Sequence, residues 1–406
     1  MAGFVMQIYC IAALVTRIKL RGPDICRSHN KNGTAIVTIT ALWPVLACLA
    51  ASFITCLLII LTQRWHGKLS LDHDLNGVQK IHDTPVPRIG GLGVVAGLVL
   101  AGIFSYQLGG ETYGTAGKLL LCAVPVFGAG LVEDFTKRVG VRTRLFAAFI
   151  SAALAYWVLD AKLTDLDTPG LDYLISFSLV SFLFTCFAVG GLTNAINIID
   201  GLNGLASGSV AIMLAGLGAI AWTHGDTLVF KLCMWGMAAS IGFLAINYPL
   251  GKIFLGDGGA YLAGFWLAEC AVLLLQRNPS VSTWAVLLAV AYPAWETAFS
   301  MYRRQVTHGT NTGAPDSAHL HHLLLDAIKK VYLPSLVNWQ YHAITSALIW
   351  VAVLACQFAA NLARESIEFN IALLALFAFG YGVLYRMLKL RSTCVILEDS
   401  SATFGV

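Results

Sequence analysis

Charge is what this 406-residue chain has least of: 12% of its residues are Asp, Glu, Lys or Arg, against 57% hydrophobic. Soluble domains carry about 25% charged residues, so the chain cannot cover a soluble surface. Cys-x-x-Cys pairs are also missing. Most of the ten cysteines sit inside apolar runs (Cys48, Cys56, Cys122, Cys186, Cys233, Cys270, Cys356), which argues against a disulfide framework or a thiolate zinc site. Short alternating strands are absent, and with them a membrane β-barrel. No internal repeat or low-complexity tract stands out, and the longest soluble piece, 302–339, is too short for a core of its own.

What the chain does have is apolar runs of about 20 residues, the length that spans a bilayer as a helix. The expected fold class is an all-α polytopic membrane protein with about eleven spans: 39–62, 89–108, 117–132, 145–159, 173–192, 205–222, 228–247, 259–276, 281–301, 340–361 and 367–388. Residues 1–33 form an N-terminal extension, interfacial or dispensable, whose apolar run 4–15 is short for a span. The multi-span domain occupies 34–392, and 393–406 form a C-terminal tail. Sixteen lysines and arginines fall on the side of the loops that follow odd-numbered spans, and five (Lys118, Lys162, Lys231, Arg277, Arg364) on the other. The positive-inside rule then places the richer side in the cytoplasm.

The polar clusters share that side. They are 82–91 with Arg88, Glu133-Asp134, the stretch Asn194 to Gly204, 254–259 around Asp257, and 302–339 with Arg303, Arg304, Asp316, His319, His321 and His322. A carrier would place polar groups at the midplane and on both sides of it, whereas an active site at one surface needs this one-sidedness. Asn194, Asn197, Asp200 and Asn203, three apart, are expected on one helical face. Four carboxylates from three loops suit a hard divalent cation, Mg²⁺ or Mn²⁺. Gly256 and Gly258 are expected to let the backbone beside Asp257 approach an ion or a phosphate. The arginines and histidines offer positive groups for a polyphosphate. Together these read as phosphoryl or phospho-sugar transfer onto a lipid acceptor. Each motif also has a plain alternative. Glu133 could pair along its helix with Lys137, and the three histidines could hold zinc. Glu296 could face the site or brace it, and Glu269 could serve packing alone. A transporter of a phosphorylated metabolite is the rival class for the whole chain.

Five ordered motifs carry a family likeness: the His-x-x-Pro-x-Pro-Arg-x-Gly-Gly type at 82–91, the acidic pair 133–134, Asn-x-x-Asn-x-x-Asp-Gly at 194–201, Phe-Leu-Gly-Asp-Gly-Gly at 254–259 and His-Leu-His-His at 319–322. Over about residues 40–390 the chain resembles the polyprenyl-phosphate N-acetylhexosamine-1-phosphate transferases of glycosyltransferase family 4, nearest the lipopolysaccharide and O-antigen initiating branch. That resemblance implies a bacterial inner-membrane enzyme with its site facing the cytoplasm. It would transfer a sugar-1-phosphate from a UDP-N-acetylhexosamine to undecaprenyl phosphate, with Mg²⁺ and release of UMP. It further implies Asp257 as the leading metal ligand with Asp200 and Asp134, and Glu133 and Asp134 as the acidic pair. Asn194, Asn197 and Asn203 would line the nucleotide site with Arg88, Arg303 and Arg304, while His319, His321 and His322 would contact the diphosphate or the sugar. The family's usual Asp-Asp is Glu133-Asp134 here, its second acid is Asn203, and a common lysine is Thr84. Lipid-phosphate attack is either direct or by way of Asp134 as a nucleophile. Partners beyond the substrates are bilayer lipid and, at most, a second copy of the chain as a homodimer; no nucleic acid is expected.

Overall fold

A computed structural model describes residues 42–71, 85–107, 112–305, 316 and 318–403, with side chains as far as 391. The N-terminal extension 1–33, and His82, Asp83 and Thr84 of the first motif, lie outside the described residues. The regular elements among the described residues are helices: α1 Trp43–Ser70, α2 Gly91–Gln107, α3 Thr112–Thr136, α4 Val141–Val158, α5 Leu171–Ile175, α6 Ser178–Ile199, α7 Leu205–Thr223, α8 Thr227–Asn247, α9 Gly256–Arg277, α10 Thr283–Ala289, α11 Ala291–Arg303, α12 Leu320–Ala327, α13 Asn338–Leu362 and α14 Ile367–Thr403. A π-helical turn, Ile328–Tyr332, follows α12.

Nine of these helices are long and apolar enough to cross a bilayer; the chain is a multi-pass membrane protein. Two of the eleven expected spans differ from the rest. The 89–108 span is the shorter apolar helix α2. The 281–301 span is broken at Val290 into α10 and α11. Pro293 explains the break: it has no N–H for the carbonyl four residues back, which is that of Ala289. In hydrocarbon an orphan carbonyl is costly, and the side-chain amide of Gln357 on α13 donates to it. α14 continues as helix to Thr403, through most of the stretch read as a tail.

The bundle is built around α9. In its apolar segment 94% of residues are buried, against 22% in α1 and 11% in α14. Small residues allow that density, because without a hydrophobic drive between helices in lipid, close backbone approach supplies the packing. A Cβ on Gly264 of α9 would lie 2.8 Å from the Thr193 carbonyl of α6. Glu269 is buried midway along α9, and neither of its oxygens has a hydrogen-bond partner among the described residues.

Candidate active site

The cluster begins with two extended segments laid side by side. Phe254 N–H donates to Pro87 O (2.8 Å), Gly90 N–H to Phe254 O (3.0 Å) and Gly91 N–H to Leu255 O (2.9 Å). The ladder brings the first motif against the Phe-Leu-Gly-Asp-Gly-Gly motif at the start of α9. Glycine is needed there for packing. Gly256 has φ +74°, and a Cβ on it would collide with Arg88 O and come within 2.6 Å of an Asp134 carboxylate oxygen. A Cβ on Gly130 of α3 would stand 2.6 Å from Gly258 Cα, and one on Gly91 2.4 Å from Gly259 Cα. The glycines beside Asp257 therefore seat three chain segments together.

Asp134, at the end of α3 and 3% exposed, accepts from Asp257 N–H at 2.8 Å and Gly258 N–H at 2.9 Å. It caps the N-terminus of α9, where a negative charge is favoured by the helix dipole. Asp257 stands in the same first turn, its carboxylate only partly exposed. It accepts from Asn197 Nδ2 (3.1 Å) and pairs with the guanidinium of Arg144. Arg88 Nη2 lies 3.7 Å from Asp134 and 3.9 Å from Asp257. Asp200, just past the end of α6, completes the group: burial pushes its carboxyl up to about 7, against the pull of Arg88. Asp134 at the end of α3 and Asp257 at the start of α9 thus flank Arg88, whose charge also reaches Asp200.

The expected polar face of four breaks at its end, because α6 stops at Ile199. Asn194 Oδ1 accepts from Tyr261 OH (3.0 Å). Asn203 turns away and is buried, its amide on Pro249 O (3.0 Å) and its own carbonyl accepting from Ser346. It fastens the loop and does not line the cluster. Glu133 also departs: its carboxylate accepts from Val139 N–H (2.6 Å) and closes the turn after α3.

The histidines approach from the other side. His321 is fully buried, and its Nε2 would be 3.0 Å from a Cβ on Gly201, the residue after Asp200; His322 Cε1 would be 3.5 Å from the same point. His321 lies parallel to His319 at 5.5 Å and 4.3 Å from His322. Burial, reinforced by the neighbouring histidines, holds His321 well below the usual imidazole range and His322 down to about 4. Both are neutral near pH 7, so they present hydrogen-bonding nitrogens and not the positive charge expected. His319 donates from Nδ1 to Glu296 (2.9 Å), which also accepts from Leu320 N–H (3.3 Å) and Tyr381 OH (2.9 Å). Glu296 is a brace. Arg303 is buried against Asp316 and over the Tyr385 ring; Arg304, the next residue, is partly exposed.

No three His, Cys, Asp or Glu side chains among the described residues are grouped to hold a metal by themselves. The donor set still fits Mg²⁺. That ion is usually held by one or two carboxylates completed by substrate phosphates, and seldom by an all-protein cage. Asp257, paired with Arg144 and 3.9 Å from Arg88, is one carboxylate that already meets positive charge.

Three contributors escaped the sequence reading. Arg144 carried a signal, since a cation in the first turn of α4 opposes the helix dipole and asks for an anion. Asn247, at the end of an apolar run, accepts from Gly204 N–H and donates to Ile253 O, each at 2.6 Å, joining the Asp200 loop to the Asp257 loop. Tyr261 sits inside an apolar run with nothing to mark it.

Comparison with known proteins points to one family. The model of glycosyl transferase family 4 matches residues 117–275. The chain is 29% identical over 252 residues to a probable undecaprenyl-phosphate N-acetylglucosaminyl 1-phosphate transferase of Bacillus subtilis (strain 168), covering 61% of this chain and 68% of that protein. It is 30% identical over 266 residues to the undecaprenyl-phosphate alpha-N-acetylglucosaminyl 1-phosphate transferase of Escherichia coli O157:H7, covering 63% and 69%. A decaprenyl-phosphate N-acetylglucosaminephosphotransferase of Mycobacterium leprae is 29% identical over 276 residues, covering 60% and 68%. With its ordered motifs folded into one cluster and these relatives matched over two thirds of their length, the chain belongs to glycosyl transferase family 4.

Proposed function

We propose that the protein transfers an N-acetylhexosamine-1-phosphate from a UDP-N-acetylhexosamine to undecaprenyl phosphate, or a similar polyprenyl phosphate, and releases UMP. The site would face the cytoplasm of a bacterial inner membrane, and the product would start a surface polysaccharide such as an O-antigen. The observation that carries this reading is the convergence of Asp257, Asp200 and Asp134 with Arg88 and Arg144 at the end of a membrane bundle. The names of the relatives support the acceptor and the transferred group.

Mg²⁺ or Mn²⁺, held by Asp257 and Asp200, would supply charge neutralisation at the diphosphate. Arg88 and Arg144 bind phosphate oxygens of the donor and offset the charge that grows on them. Asn197 fixes the rotamer of Asp257. His321 and His322, neutral, hydrogen-bond the sugar or the diphosphate from across Gly201. An oxygen of the lipid phosphate attacks the β-phosphorus in line, the bond from the β-phosphorus to the bridging oxygen breaks, and UMP leaves. Attack is direct in this scheme. Asp134, the candidate nucleophile of the covalent route, is buried with both oxygens on backbone N–H groups, where it holds α9 in place.

The test is to incubate the purified protein with a panel of UDP-amino sugars, polyprenyl phosphate and Mg²⁺, weighing the lipid product and measuring UMP. A lipid diphosphate-sugar with equal UMP supports the proposal. Sugar nucleotide accumulating in proteoliposomes without UMP would return the transporter reading.

A further inference from the structure

The end of the bundle away from Asp257 brings two of its five cations, Lys118 and Arg277, to one pocket. α9 carries Asp257 in its first turn and Arg277 in its last, about 30 Å of helix apart, close to the thickness of a bilayer's hydrocarbon core. At the Arg277 end, the start of α3, the end of α4, the start of α8 and the end of α9 border an open pocket of about 240 Å³. Its lining is part apolar, with Leu228 and Leu273, and part polar, with Thr115, Lys118, Gln276 and Arg277.

The polar part is built in advance. Arg277 donates from Nε (2.7 Å) and Nη2 (3.2 Å) to Asp226, a buried carboxylate that also accepts from Asn278 (3.2 Å). Gln276 is held by its amide on Asp160 O (2.5 Å). Cations are scarce at this end, as the positive-inside rule requires. Of the five, Lys162 pairs with Asp160 and Arg364 with Glu365. Lys118, exposed, pairs with no carboxylate among the described residues. Asp226 already balances Arg277, so the pocket carries one uncompensated positive charge.

We propose that this pocket binds the headgroup of an anionic phospholipid, with its phosphodiester between Lys118 and Arg277 and its acyl chains along Leu228 and Leu273. One phosphodiester charge closes the balance. The apolar part of the lining, at the edge of the hydrocarbon, selects a lipid over a free anion, which would leave that part uncovered. The site is separate from the carboxylate cluster and needs no catalysis, so it stands or falls independently of the transferase reading.

Native mass spectrometry of the full-length protein in detergent tests it, with equimolar phosphatidylglycerol and phosphatidylcholine of the same acyl chains. The wild type is expected to retain phosphatidylglycerol preferentially. Lys118→Ala, an exposed position with no structural partner, should lower that preference about fivefold, the worth of one cation near a lipid surface. Lys231→Ala, on the same face but outside the pocket, should leave it unchanged. Equal uptake of both lipids by the wild type, an undiminished preference in Lys118→Ala, or the same drop in Lys231→Ala would overturn the proposal. So would displacement of the lipid by millimolar inorganic phosphate.

Discussion

At the scale of single residues, two neighbouring aspartates do different work, and that difference can be measured. Asp134 is buried and caps α9, whereas Asp257, in the same turn, spends its carboxylate on Arg144 and Asn197 side chains. Asp134→Ala is expected to cost about 2 kcal/mol of stability as well as activity. Asp257→Ala should melt close to wild type while transfer falls about a thousandfold or more. Thermal melts and UMP release on the two variants check this; matching losses of stability would remove the distinction. The buried histidines give a pH dependence. Burial, then the charge of His319, hold the folded His322 to about 4, below the unfolded value of about 6.5. The unfolded chain therefore takes the proton first, and stability falls as pH drops from about 6.5 toward 4. His322→Gln should flatten that part of the melting curve. Asp257 and the histidines were legible from their spacing and company. The bracing roles of Asn203, Glu133 and Glu296 were not, because they depend on which partner a side chain meets after the chain turns, and spacing carries no record of that.

At the scale of elements, the site depends on how closely α2, α3 and α9 meet, and glycines set the distance. Gly130→Ala would press a methyl 2.6 Å from Gly258 Cα, backbone that cannot rotate away. We expect about 1–3 kcal/mol of destabilisation, with loss of transfer although no chemical group is removed. Asn247→Ala should act through the loops: it strips the partner from buried Gly204 N–H and Ile253 O, at about 2 kcal/mol or more. Proteolysis between α6 and α7 should accelerate in that variant, and unchanged cleavage would contradict the tie. The glycine motifs were visible in the sequence, but the packing they permit was not, since a glycine that admits an ion and one that admits a neighbouring helix look alike in one dimension. The broken span at Val290 shows the same limit. Pro293 was there to be seen, yet whether it kinks or divides a helix rests on Gln357, a residue of another helix.

At the scale of the whole molecule, hydropathy carries nearly everything, because only helices satisfy their own backbone in lipid. Apolar run length was therefore enough to place the helices, and charge counting enough to propose their orientation. What run length could not tell is which helix is central. α9 and α14 have similar hydropathy, yet one is buried and the other faces outward, a contrast set by small residues at packing positions. The account's central claim is that side chains from separate loops form one site for a sugar nucleotide and a lipid phosphate. The most direct measurement is UMP release by the purified protein from UDP-N-acetylglucosamine, with and without undecaprenyl phosphate, for wild type and Asp257→Ala. The account predicts release only when both substrates and the wild-type carboxylate are present. Release by Asp257→Ala at the wild-type rate, or none by a folded wild type with any UDP-amino sugar, would contradict it.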